Sequence, residues 1–136
     1  MKSLIKVIAL FLFCGGPAVA GIVQCTTETR NNPLVPNEIE YEFNDRGTSV
    51  DVKDSTGEKF GRSWVNGNVT LQNTKRTSIT WTHEGISRQP DWWGAGKIVI
   101  RMNSWADGHF NLTLEPTRAN LRNARYEGAG HCRHLP

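Results

Sequence analysis

One-by-one alternation of apolar and polar residues constrains this chain more than any other feature of it. Ile39, Tyr41 and Phe43 are interleaved with Glu38, Glu40, Glu42 and Asn44. In an extended backbone successive side chains point to opposite faces, so such a segment buries one face and wets the other. Asn44-Asp45-Arg46-Gly47 is a turn signal, after which Val50 and Val52 resume the alternation with Asp51 and Lys53 outward. Residues 38–53 are therefore read as a β-hairpin.

The same pattern recurs to the end of the chain. Asp54-Ser55-Thr56-Gly57 is read as a second turn, Phe60 to Trp64 as a short strand and Asn66-Gly67-Asn68 as another turn. Val69 and Leu71 begin the next strand. Thr77 to Thr82 follows, with Ile79 and Trp81 inward; Trp64 and Trp81 are both assigned to the core. Gly96 to Met102 places Ile98, Ile100 and Met102 on one face, and Ser104 to Gly108 is a loop. Phe110, Leu112 and Leu114 alternate with polar neighbours up to Pro116. The last strand is read over Ala124 to Arg133, with Tyr126, Gly128, Gly130 and Cys132 sharing a face. Arg30 to Asn37 is a loop after the first strand. No window carries an amphipathic helix of three turns; Thr117 to Asn123 allows one or two. Eight to nine short strands with frequent turns predict an all-β fold, a small antiparallel barrel with a β-sandwich as the alternative.

Residues 1–20 have the parts of a secretory signal: Lys2 and Lys6, an apolar run from Val7 to Phe13, and Ala18-Val19-Ala20 as cleavage site. The apolar run is far shorter than the roughly 20 residues that span a bilayer, so no stable membrane anchor is expected after cleavage. Phe13 stands before Cys14 where a lipidation site needs a small residue, which argues against a lipoprotein. Residues 21–136 are then a single β domain in the periplasm or outside the cell. Removing the leader takes Lys2 and Lys6 with it, and the net charge falls from +3 to about +1. That balance gives no basic stripe for nucleic acid. Cys14 also leaves, so Cys25 and Cys132 remain as the single available disulfide pair. Such a bond joins the N- and C-terminal strands and favours closure of the sheet, which removes exposed edges.

Motifs that carry chemistry are sparse. His131-Cys132-Arg133-His134 has the look of a metal cluster, but an oxidised Cys132 has no thiolate to give, and structural zinc asks for four ligands. No Gly-x-Ser-x-Gly elbow is present. Gly94-Ala95-Gly96-Lys97 is too short for a phosphate loop and precedes a strand. Glu84 and Asp91 form a glycosidase-like carboxylate pair only if the fold joins them. No catalytic residue, metal ligand or cofactor is assigned. The aromatic residues say more. Trp92 and Trp93 are adjacent in a segment of loop composition, and Trp105 falls in a second loop. Exposed tryptophans anchor sugars, apolar ligands or protein partners, while buried ones cap a barrel end.

Tyr126-Glu127-Gly128-Ala129-Gly130-His131-Cys132, with the leader and an early cysteine, resembles a loose group of short proteobacterial exported proteins. Those are β-rich, end in a Tyr/Gly-rich strand with a cysteine, and are generally uncharacterised. The expected shape is also similar to lipocalin-like and streptavidin-like barrels, although Gly61-Arg62-Ser63-Trp64 lacks the spacing of the lipocalin Gly-x-Trp signature. The expectation is a non-enzymatic binding protein. Its ligand would be a small apolar or sugar molecule at a barrel mouth, or its partner another protein. Trp92, Trp93 and Trp105 are the candidate anchors. The rival expectation is a hydrolase or metal protein using His83, His109 or His131.

Overall fold

The computed structural model describes residues 21–84, 96–116 and 125–136. Eight antiparallel strands close into a barrel in which each strand pairs with its sequence neighbours and the last pairs with the first. They are β1 (Val23–Arg30), β2 (Glu38–Phe43), β3 (Ser49–Asp54), β4 (Val65–Gln72), β5 (Arg76–Glu84), β6 (Lys97–Trp105), β7 (His109–Pro116) and β8 (Tyr126–His134). One short helix, α1 (Ser55–Lys59), follows β3. The barrel, not the sandwich, is thus the architecture, and Cys25–Cys132 joins directly opposed residues of β1 and β8 across its seam.

Alternation decides what fills it. Ile39, Tyr41, Val50, Val52, Ile79, Trp81, Ile98, Ile100, Met102, Phe110, Leu112 and Leu114 all point inward and are buried. Their bulk makes the middle of the barrel a packed core instead of a hollow. The outer face carries Glu28, Asp51, Asn68, Arg101, Asn111, Glu127 and Arg133, all exposed. Apolar inside and charged outside is the inverse of a membrane barrel, whose outward face is apolar. No helix among the described residues is long and apolar enough to cross a membrane.

The β8 glycines explain how the seam closes. A Cβ at Gly130 would sit 2.0 Å from the Thr26 carbonyl oxygen, and one at Gly128 would sit 2.7 Å from Val35 Cγ1. Stripping that face lets β1, bulged between Thr27 and Thr29, press against β8. It also lets Val35, fully buried, plug one end of the barrel.

Several local expectations need correction. Asp54 to Gly57 is not a simple turn: Asp54 caps α1, its carboxylate accepting from the Gly57 N–H. Phe60 to Trp64 forms no strand, and Trp64 is 41% exposed, not core. Asn66-Gly67-Asn68 lies inside β4, because Gly67 faces inward against Trp81 and Val50, where a larger side chain would not fit. Ser104 and Trp105 end β6, and the loop is confined to residues 106–108. The segment Thr117–Asn123 lies outside the described residues.

Candidate functional site

The two ends of the barrel differ. One is closed by Val35 and by α1, where Asp54, Trp81 and His83 form a buried polar knot. Asp54 Oδ2 accepts from Trp81 Nε1 at 2.8 Å and from His83 Nε2 at 2.6 Å, while Oδ1 accepts from the Gly57 N–H at 2.7 Å. Three donors on one carboxylate stabilise a charge that burial alone would penalise. His83 Nδ1 is left as the one buried side-chain polar atom without a hydrogen-bond partner among the described residues. The pair has the composition of an acid–base dyad, but both side chains are fully buried. A solute does not reach them in this conformation, and their evident work is to hold α1 over the barrel.

The opposite end is open. A recess of about 630 Å³ lies there, a size in the range of small-ligand sites. Its inner wall includes Val23, Tyr41, Phe43, Ser104 and Cys132. Tyr41 and Phe43 meet edge to face, with centroids 5.7 Å apart at 87°. The Tyr41 hydroxyl lies 3.3 Å from Ser104 Oγ. Burial pushes the Tyr41 phenol above its ordinary range, with the Ser104 contact opposing that shift.

The rim is set by three tight turns. Arg46 rides on the β2–β3 turn, where Asn44 Oδ1 accepts from the Thr48 N–H at 2.9 Å and Gly47 takes a positive φ of 67°. Lys75 and Arg76 ride on the β4–β5 turn, where Asn73 Oδ1 accepts from both their backbone N–H groups at 2.9 and 2.8 Å. Asp107 is on the β6–β7 turn, which is tied to the previous one by Ala106 N–H to Lys75 carbonyl at 3.0 Å. Asparagine turns of this kind fix the backbone that carries the charges. Arg46, Lys75 and Arg76 line the recess together with one carboxylate, Asp107, and none of the three makes an ion pair among the described residues. Asp107 is occupied with His109: it accepts from the His109 N–H at 3.0 Å and bonds its ring, which hold its carboxyl below the usual range.

No protein-family model, curated protein or solved structure matches this chain. The site is therefore read from its own chemistry.

Of the candidate anchors, Trp105 is at this mouth, partly buried, with its ring stacked on His109 at 4.5 Å and 6°. Trp92, Trp93 and Asp91 lie outside the described residues. The four histidines do not converge on one site. His83 is buried at the plugged end, His134 lines the open mouth, and His109 and His131 face outward. His131 and His134 are three apart on one strand and so point to opposite faces, which dissolves the apparent His-Cys-x-His cluster. Cys132 is in the disulfide. No group of three or more His, Cys, Asp or Glu side chains suited to a metal ion occurs among the described residues. Sequence reasoning missed the cations. Arg46 was inside a recognised turn signal, but its convergence with Lys75 and Arg76 depends on barrel closure.

Proposed function

We propose that this is a non-enzymatic binding protein that takes a small amphipathic anion in its open mouth. The observation that carries the reading is three cations, without ion pairs among the described residues, on pinned turns around a partly apolar recess. A carboxylate, sulfonate or phosphate head would meet Arg46, Lys75 and Arg76. An aromatic or aliphatic body would lie against Phe43, Tyr41 and the edge of Trp105. The packed core below limits the depth of the site, so the ligand is small or only its end is enclosed. Because the turns are held by Asn44 and Asn73, little ordering is required on binding.

The disulfide and the lack of a long apolar helix among the described residues are compatible with an oxidising compartment. The leader favours export to the periplasm or beyond. Cleavage after Ala20 would add the Gly21 amine to the mouth, since Gly21 lines it.

The test uses 8-anilinonaphthalene-1-sulfonate with the folded protein, followed by fluorescence, and the uncharged N-phenyl-1-naphthylamine as comparison. Saturable binding of the sulfonate is expected, with the uncharged probe weaker. Exposed ion pairs contribute about 0.2–1 kcal/mol each, so the triple variant R46Q/K75Q/R76Q should weaken the sulfonate about tenfold. Absence of saturation, or equal affinity in the triple variant with near-UV circular dichroism unchanged, sinks the proposal.

A further inference from the structure

His109 and His131 are directly opposed on the β7–β8 ladder. The neighbouring opposed pair is hydrogen-bonded, Cys132 N–H donating to the Gly108 carbonyl at 2.6 Å. In an antiparallel ladder bonded and non-bonded pairs alternate, so His109 and His131 form a non-bonded pair. Those are the pairs whose side chains approach most closely, with Cα atoms about 4.5 Å apart. Phe110 is buried on the inner face, which leaves both imidazoles on the outer one.

Each ring is oriented by a carboxylate. His109 Nδ1 bonds Asp107 and His131 Nδ1 bonds Glu28. A carboxylate accepts, so the proton sits on Nδ1 and the lone pair of each neutral ring is on Nε2. Neither Nε2 has a hydrogen-bond partner among the described residues. This is the arrangement that metal-ligating histidines use: one nitrogen fixed by a carboxylate, the other turned to the ion. Asp107 is itself fixed by the His109 backbone N–H, and Trp105 stacked on the His109 ring limits its rotation.

We infer that His109 and His131 are a two-nitrogen site for a divalent late first-row transition cation, copper(II) in preference to zinc(II). Imidazole nitrogen suits both ions, and the stability order among divalent metals peaks at copper. Two protein ligands in adjacent positions leave the remaining positions to water or to a ligand's own donors. The site is therefore open and exchangeable, unlike a closed four-ligand structural centre. Asp107 and Glu28 are positioning residues that hold the tautomer and orientation of the coordinating rings.

The test is titration of tag-free protein with copper(II) chloride, followed by calorimetry and by NMR of the imidazole signals. One equivalent should bind, with paramagnetic broadening centred on His109 and His131, and zinc(II) should bind more weakly. H109A or H131A should abolish the one-equivalent binding. D107N and E28Q should each weaken it about tenfold, the lower end for carboxylates behind a ligating histidine. All four positions are at least partly exposed, so the fold, read by far-UV circular dichroism, should be unchanged. No binding by the native protein overturns the inference. So does binding that survives in H109A/H131A, as coordination by His134 or the terminal amine would give.

Discussion

Asp54→Asn changes a single side-chain group in this protein and isolates the polar knot at the plugged end. The native carboxylate receives three buried donors: Trp81 Nε1, His83 Nε2 and the Gly57 N–H. A carboxamide offers one oxygen and one NH₂. With its oxygen toward Trp81 and His83, the NH₂ confronts the Gly57 N–H. With its oxygen toward Gly57, the NH₂ can donate to a retautomerised His83, but then the Trp81 N–H is orphaned. Either way one buried donor goes unsatisfied, at a cost of about 1–3 kcal/mol. Two surviving bonds lose their ionic character, about 1 kcal/mol each. Relief from burying a charge offsets part of this, and the net expectation is a loss of about 3 kcal/mol. For a domain of this size that is a fall in Tm of about 12 °C.

Urea unfolding under non-reducing conditions measures the loss, and the denaturant slope should be unchanged. A double-mutant cycle with Trp81→Phe sharpens the test, because removing the indole N–H should cost less once the carboxylate is gone. Coupling of about 1–2 kcal/mol is expected for partners in one network. A loss under about 1 kcal/mol, or strict additivity in the cycle, refutes the reasoning.

The seam gives two more predictions. C25A/C132A, which opens a bond between residues 107 apart, should cost up to about 5 kcal/mol on the chain-entropy argument, read as a fall in urea midpoint. G130A should cost about 3 kcal/mol or more, because its Cβ meets the backbone oxygen of Thr26 at 2.0 Å. G61A, at a positive φ of 76° with nothing within 4 Å, should cost only about 1 kcal/mol in the same assay. Two predictions concern pH. Tyr41 ionises above its unfolded value of 10.0, so the folded state holds the proton longer; its stabilisation is complete below pH 10 and is lost as pH rises beyond it. Absorbance at 295 nm should show its phenolate appearing only with alkaline unfolding. The Asp107 carboxyl is depressed from 3.8, so its contribution is present above that pH and disappears as pH falls through the lower folded value. Carboxyl NMR titration checks this.

The inward rows were readable because burial and strand period coincide. Ile39-Tyr41, Ile79-Trp81 and Phe110-Leu112-Leu114 leave no other face to bury. The cysteine pair was equally legible, since removing the expected leader leaves one pairing. Misreadings arose where a residue type has two uses. Asn66-Gly67-Asn68 has turn composition, yet Gly67 is a strand residue made small by Trp81 across the ladder. Asp54 has the look of a turn former but is a cap and an acceptor for side chains 27 and 29 positions away. The chemistry of Trp64 argues for the core, whereas the chain leaving α1 carries it to the surface. Trp105 is the one candidate anchor that falls among the described residues, at the end of β6 beside the recess. The cations beside it and the opposition of His109 to His131 were not legible, because the first depends on the curl of the barrel and the second on ladder register.

The position of the disulfide has a mechanical consequence. Cys25 and Cys132 lie near the two ends of the described chain and are bonded across the seam. A pull applied at residues 21 and 136 runs through a few residues of β1, the two sulfurs and a few residues of β8. Strands β2 to β7 carry none of the load. While the bond is intact the barrel can be tugged from its termini without being unzipped, and a single backbone cut between β2 and β7 leaves both pieces tethered.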